Sequence, residues 1–486
     1  MIDQLPFELA QEFGIVVIAE EAGAIAVATA PHMTVGTLSA ARQRLGKPLR
    51  PRAVDAEQFR ALLTTAYSSV ASGVRPGVLS ALPPSLDQQQ ADLLATATGD
   101  DASPAVRIVN ELLRDALARG ASDIHLDATE HGGRVRCRVD GVLGDVRDTD
   151  AATHAAMIAR CKVLATLDIA ERRMPQDGRI QVVVAGHKVD IRIATLPTQH
   201  GERAVLRLLD TSAARLDLSA LGLGEAILRA LRDAVRMPHG LVLVTGPTGS
   251  GKTTTLYAAV SELDRERLNV VSVEDPVEYA LNRVAQTQVN PRIELTFARA
   301  LRSILRHDPD VIIVGEIRDR ETAEIAIQAS LTGHLVLASL HTNTAGAAIT
   351  RLVDMGVEPF LLASSLRGVL AQRLVRRLCV HCRKSHEVTT AEAALLVGHG
   401  ISGITTLYEA AGCDQCSHTG YRGRMGLYRW LPVTAEIAQA IHARAPDTAL
   451  EAAVTAAGWP ALAADATRHL QGGSTSLGEV LRVVTL

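Results

Sequence analysis

The chain has 486 residues, a length for roughly three domains, and its 47% hydrophobic and 21% charged content excludes an extended disordered protein. Aromatic residues at 3% argue against a nucleic-acid reader that stacks bases on ring platforms. With 50 Lys+Arg against 53 Asp+Glu, a net charge of −3 exerts no strong pull toward DNA or anionic lipid. No uninterrupted apolar run approaches the roughly 18 residues of a bilayer span. The start, Met1-Ile2-Asp3-Gln4-Leu5-Pro6, lacks the basic, then apolar, layout of an export signal. The expected compartment is the cytosol, where six cysteines point to metal or thiol roles over disulfides.

Residues 1–75 alternate short β-type runs (Gly14 to Ile18, Ala24 to Val27) with helical patterns such as Asp55 to Ala66, and read as a small α+β module. Residues 76–104, with Pro83-Pro84, Gln88-Gln89-Gln90 and Gly99-Asp100-Asp101, read as a linker. A second α+β module over 105–212 opens with the helical run Ala105 to Arg119. It continues with strand patterns at Arg134 to Val139, Ile180 to Val184 and Val189 to Ile193, and a helix from about Thr153 to Leu167. From 213 to 486 the character changes. A helix from Glu225 to Arg236 leads into four continuous apolar runs, Leu241 to Val244, Val270 to Val273, Val311 to Val314 and Leu335 to Leu337. Strands buried on both faces and alternating with helices imply a parallel α/β sheet.

After the first of these strands comes Gly246-Pro247-Thr248-Gly249-Ser250-Gly251-Lys252-Thr253-Thr254, opening a helix expected over Thr253 to Leu263. The glycines let backbone N–H groups turn toward a phosphate at a helix N-terminus. Lys252 would reach the β/γ-phosphates and the Thr253 hydroxyl would ligate Mg²⁺. Only five of the 50 basic residues are lysine, so lysine at this position is informative. An ordinary Gly-rich turn is the bland alternative, and the strand–loop–helix context weighs against it. The loop predicts binding of ATP or a close relative.

Phosphoryl transfer needs Mg²⁺ held, a water oriented and charge neutralised. Three polar clusters follow the later strands: Glu274-Asp275-Pro276-Val277-Glu278, Gly315-Glu316, and Ser339-Leu340-His341-Thr342-Asn343. Singly they read as caps, turns or a structural histidine. Together, at the carboxyl edge that carries the phosphate loop, they read as a site. The usual acidic residue of a Walker B strand end is one position late, so Glu316 takes the Mg²⁺-water role or the base role. Glu278 competes for the base role, and the sequence leaves the choice open.

Cys379-x2-Cys382 and Cys413-x2-Cys416, 30 residues apart, form a tetrahedral thiolate set for structural Zn²⁺. Redox or incidental cysteine is the alternative, with His381 and His418 as substitute ligands. The helix pattern Phe297 to Arg306 carries Arg299, Arg302 and Arg306 in a stripe that is either solvated or presented to a neighbouring subunit. Arg192 and Arg207, in the preceding module, are either surface charges or fold over the phosphates.

In combination these residues resemble the secretion-superfamily ATPases, most closely the type II secretion ATPases, from about Ser103 to the C-terminus. The resemblance is carried by Met174 to Arg179, Leu196 to Arg203, the phosphate loop through Tyr257, and Glu274 to Tyr279. To these add Asp308 to Asp319, Leu331 to Asn343, Gly368 to Arg377 and the two cysteine pairs. It implies an α/β, RecA-like P-loop ATPase domain preceded by two smaller α+β domains, with a zinc subdomain at about 375–425. It further implies a cytoplasmic homo-hexamer, peripheral at the inner membrane and associated with it indirectly. Using ATP, Mg²⁺ and Zn²⁺, it would drive pseudopilus assembly and export of folded proteins across the outer membrane. By motif match Lys252 and Thr253 hold phosphate and metal, and Glu274 and Glu278 take the acidic-box roles. Glu316 takes the Walker B role and His341 that of the family histidine. Arg192 and Arg207 would clamp phosphates, while Arg302 and Arg306 would serve a subunit interface. Residues 1–75 match more loosely, through Leu5-Pro6-Phe7 and Ala10 to Val17, and would dock onto an inner-membrane platform protein. No nucleic-acid partner is expected. The alternatives are a pilus-assembly ATPase with the same chemistry, a non-hydrolysing zinc adaptor, and a DNA-translocating ring.

Overall fold

The computed structural model describes residues 10, 13–21, 24–31, 33–55, 58–59, 104–184, 187–210 and 217–484. The chain divides into two units, Met1–Ser85 and Leu86–Leu486. In the first, β1 (Ile15–Glu21) and β2 (Ala24–Thr29) pair antiparallel, and β3 (Leu49–Ala53) adds parallel to β2 after α1 (Val35–Leu45). Thr34 caps α1 by accepting from the Thr37 amide, and Gly46 ends it at φ 66°, a left-handed conformation favourable to glycine. Ile15, Ile25, Val27, Ala41 and Phe59 form its core. Most of the helix expected over Asp55 to Ala66, the motif at Leu5-Pro6-Phe7 and nearly all of the linker at 76–104 lie outside the described residues.

The first described element of the second unit is α2 (Pro104–Ala118), followed by β4 (Ala121–Thr129), β5 (Gly132–Val139), β6 (Val142–Thr149), α3 (Ala151–Leu164), β7 (Gln176–Val184), β8 (His187–Thr198) and β9 (Gly201–Asp210). The six strands form an antiparallel sheet in the order β6-β5-β4-β9-β8-β7. Side chains alternate along each strand, so Ile124, Leu126, Val135, Ile191 and Leu206 pack with Leu112 and Leu113 of α2 and Met157 of α3. The intervening residues, among them Asp123, Asp127, Arg192, Arg203 and Arg207, fall on the opposite face.

The remaining elements are α4 (Glu225–Val235), β10 (Gly240–Thr245), α5 (Lys252–Ser261), β11 (Val270–Glu274), β12 (Val284–Gln288), α6 (Phe297–Ile304), β13 (Val311–Val314), α7 (Arg320–Leu331), β14 (Leu335–Leu340), α8 (Ala345–Asp354) and α9 (Pro359–Ser365). They continue with β15 (Leu366–Leu378), β16 (Lys384–Glu387), α10 (Thr390–Gly398), β17 (Thr406–Glu409), β18 (Tyr421–Pro432), α11 (Ala435–His442), α12 (Asp447–Ala456), α13 (Leu462–Gln471) and α14 (Leu477–Val484). Seven strands form one sheet in the order β12-β11-β13-β14-β10-β15-β18, parallel except for β18. Alternate residues of β10 serve two cores. Leu241 and Leu243 pack with α6, α7 and α8, while Val242 and Val244 pack with α4 and α5. Burial on both faces is why these strands read as unbroken apolar runs, each such side chain contributing about 1.5–3 kcal/mol.

The four expected strands are present as β10, β11, β13 and β14. The sheet also contains β12, β15 and β18, which the sequence reading did not identify. β15 and β18 pair along most of their length, and a Cβ on Gly368 would meet the Trp430 ring at 2.2 Å. The register Thr245↔Leu340, Val273↔Val314 and Val314↔Ala338 brings the carboxyl ends of β10, β11, β13 and β14 to one rim.

Candidate functional site

The phosphate loop leaves β10 at Thr245 and turns into α5. A Cβ at Gly246 would lie 2.5 Å from the Gln372 carbonyl oxygen, so the close approach of β15 demands glycine there. Gln372 holds the loop from that side, its Nε2 donating to the Ser250 carbonyl at 2.7 Å and its Oε1 accepting from Thr255 Oγ1 at 2.8 Å. On the other side Thr245 Oγ1 accepts from the Thr342 amide at 3.1 Å, tying the His341 loop to the end of β10. Thr253 and Thr254 occupy the first turn of α5 and are half-buried.

Lys252 is 8% exposed, and its ammonium donates to the carbonyls of Gly246 (2.9 Å) and Pro247 (3.1 Å). Burial brings its pKa down to about 8, against the pull of Glu316 and with some help from Arg373. A nearby anion would offset that cost. His341 Nδ1 lies 3.4 Å from Lys252 Nζ and His341 Nε2 lies 3.1 Å from Glu316 Oε2. An ammonium only donates, so Nδ1 accepts and Nε2 carries the proton that goes to Glu316. Burial and then the Lys252 charge lower the His341 pKa, which keeps the imidazole neutral in this relay. Arg318 engages Glu316 Oε1 and reaches Asp275 Oδ2 at 3.1 Å. Both oxygens of Glu316 are thus engaged.

Glu278 differs. Its Oε2 is buried without a hydrogen-bond partner, and so is Nη2 of Arg192, which faces it from β8 at 3.6 Å. Burial raises the Glu278 pKa, with Arg192 and Arg207 opposing. Two unsatisfied groups of opposite charge across a gap fit a site completed by a ligand. Arg207 itself bonds Asp123 Oδ1 at 3.1 Å on the polar face of the six-stranded sheet.

Glu274, expected to hold cofactor, lies at the end of β11 among side-chain donors. Glu274 is buried, with Oε1 accepting from Ser272 Oγ and Gln286 Nε2 and Oε2 from the Tyr257 hydroxyl, so both oxygens are engaged. The arginine stripe also differs from the reading. α6 ends at Ile304, Arg302 pairs with Glu321, and Arg306 lies beyond the helix, bonding the Arg302 carbonyl at 2.7 Å. Beyond Ile304 the chain closes in tighter turns, with the Arg306 amide donating to the Ser303 carbonyl (2.9 Å) and the His307 amide to the Ile304 carbonyl (2.8 Å). Sequence reasoning missed Arg318, Gln372 and Arg373 as site residues. The signal was present, since all three stand in runs that carried the family resemblance.

The four cysteines of the two pairs converge, their sulfurs all within 4.8 Å of one another. Cys379–Cys413, Cys382–Cys416 and Cys413–Cys416 are separated by 3.9, 3.8 and 3.8 Å. A tetrahedron with metal–sulfur bonds of about 2.3 Å has edges of about 3.8 Å, so the set fits a zinc ion. Amides of Gly412, Cys413 and Gly420 donate to the Cys382 and Cys416 sulfurs at 3.2–3.3 Å, as thiolate ligands require.

A parallel sheet with a Gly-Lys-Thr phosphate loop at its rim, flanked by a Lys–His–Glu relay and the half-buried Glu278, defines a P-loop ATPase. Residues 98–482 match the family described as "Type II/IV secretion system protein", and residues 4–67 match a domain family of "GSPII protein E". The chain is 49% identical over 461 residues to "Type II secretion system protein HxcR" of Pseudomonas aeruginosa, covering 93% of each. It is 49% identical over 395 residues to "Type II secretion system ATPase E" of Vibrio cholerae, covering 81% of this chain and 78% of that one. Among solved structures, the pilus retraction motor PilT with bound ADP aligns at a TM-score of 0.51 and 26% identity, over 77% of this chain and 96% of that one. The chain belongs to the type II/IV secretion system protein family and is a type II secretion ATPase. Among the described residues no helix is long and apolar enough to cross a membrane.

Proposed function

We propose that the chain is the cytoplasmic motor of a type II secretion system, hydrolysing ATP to power pseudopilus assembly and export of folded proteins. The observation that carries the catalytic part is the unmatched Glu278–Arg192 pair beside a complete phosphate loop. Lys252 and the loop amides bind phosphate, and Thr253 would hold Mg²⁺, which would supply charge neutralisation when bound. Glu278 orients and deprotonates the attacking water, because the oxygens of Glu316 are taken by His341 and Arg318. Glu316, held by His341 and Arg318, would add fixed negative charge beside the Mg²⁺ that Thr253 would hold, and His341 keeps Lys252 and Glu316 in register. Arg192 brings positive charge to the transferring phosphoryl group from the six-stranded sheet, with Arg207 behind it.

In this reading residues 105–212 cover the nucleotide, 213–486 form the ATPase domain, and the four cysteines hold a structural Zn²⁺. Residues 1–75 dock on an inner-membrane platform protein, which the family match at 4–67 supports. Six copies form the working ring, and its membrane association is indirect, through the platform. The test is a chromosomal Lys252→Ala variant in the source organism, with secretion and pili scored together. Loss of secreted proteins with pili intact is expected. Loss of pili with secretion intact would move the assignment to pilus assembly.

A further inference from the structure

Tyr257 lies in the second turn of α5, 2% exposed, with its hydroxyl at the root of the loop that carries Glu278. That hydroxyl donates to Glu274 Oε2 and accepts from Gln286 Nε2 at 3.2 Å. The Tyr257 ring meets Tyr279 edge-on, with centroids 4.7 Å apart. Gln286, on β12, reaches Glu274 Oε1 (3.1 Å) and the Tyr279 carbonyl (3.2 Å), and its Oε1 accepts from the Leu281 amide at 2.7 Å. One polar cluster therefore joins the phosphate-loop helix, the end of β11 and both sides of the Glu278 loop. Glu274 is a buried carboxylate held by neutral donors. Such a group is costly to keep where an apolar residue would pack, and its full set of partners fixes one arrangement of its surroundings.

We propose that Tyr257 and Glu274 are positioning residues for hydrolysis. Tyr257 transmits the seating of the phosphate-loop helix to the Glu278 loop, and Glu274 with Gln286 locks that loop in register. The inference rests on the reading of Glu278 as the base. A shift of about 1 Å in a reacting group costs up to about a hundredfold in rate, so loosening this post acts on the chemical step.

The experiment is steady-state ATPase kinetics on the full chain for Tyr257→Phe, Glu278→Gln and the double variant, with nucleotide affinity measured by a fluorescent ATP analogue. Tyr257→Phe is expected to lower kcat about tenfold while KM and analogue affinity stay within about twofold. The double variant is expected to be no slower than Glu278→Gln alone, because the tyrosine acts through the glutamate. Gln286→Leu, which breaks the same post from β12, should reproduce the kcat–KM split. An unchanged kcat in Tyr257→Phe, or effects that multiply in the double variant, would overturn the proposal. Full turnover by Glu278→Gln would instead remove the base assignment itself, and the proposal with it.

Discussion

At the scale of single residues, Glu278 and Glu316 separate by what surrounds them. Glu316 is held by a neutral histidine and an arginine, whereas Glu278 sits in a desolvated gap with one arginine facing it at 3.6 Å. Its pKa is raised by burial and restrained by Arg192 and Arg207. A base must be ionised to act, so activity is present above that raised value and lost as pH falls through it. The acid limb of kcat/KM, which reports the free enzyme, should therefore lie above the ordinary glutamate value of about 4.3. Arg192→Ala removes a restraining charge and should move the limb to higher pH, which kcat/KM–pH profiles of both proteins read directly. A limb that stays in place would show that Glu278 is not the titrating base. The sequence placed Lys252, Glu278, Glu316 and His341 because each follows a recognisable strand. The fate of each carboxylate was not legible, since it depends on side chains such as Gln286 and Arg318 that are adjacent only in three dimensions.

At the scale of elements, two staples hold the C-terminal region onto the sheet. One is Glu479 of α14, 3% exposed, which accepts from the Arg376 amide (3.0 Å) and pairs with Arg376 Nη2 (2.7 Å) and Arg482 (2.8 Å). Burial alone would raise its pKa, but the bonds from Arg482 and Arg376 prevail and hold it at about 2. A depressed carboxylate stabilises the fold above its unfolded pKa, and the contribution fades as pH falls toward the folded value. Glu479→Gln should therefore lower Tm at pH 7, with the gap to the parent protein closing as pH drops below about 4. A gap independent of pH would assign the loss to packing. The other staple is the cysteine cluster, where elemental analysis should find about one zinc per chain. Chelation should release it and lower Tm, whereas folded, metal-free protein with four free thiols would refute the assignment. The cysteine spacing was readable because a metal set is written in residue identity. β15 and β18 were not, because a pairing that spans the whole cysteine segment leaves no local turn signal.

At the scale of the molecule, two sheets of opposite kind meet at the rim. The polar face of the antiparallel sheet sends Arg192 to Glu278, and the parallel sheet supplies the phosphate loop. The class of the parallel sheet was legible from its apolar runs, and the strand patterns that became β5, β7 and β8 announced a second α+β module. That one face of the second sheet is charged, and aimed at Glu278, required the structure. A motor needs such a joint, because hydrolysis that changes the charge between Arg192 and Glu278 also changes what holds the two sheets together. The most direct test compares ATP turnover by the full-length chain with that of Lys252→Ala under the same conditions. The account predicts turnover in the parent protein and none in the variant, with nucleotide affinity reduced. Equal turnover in the two proteins would contradict it, because the triphosphate would then be split somewhere other than the rim of the parallel sheet.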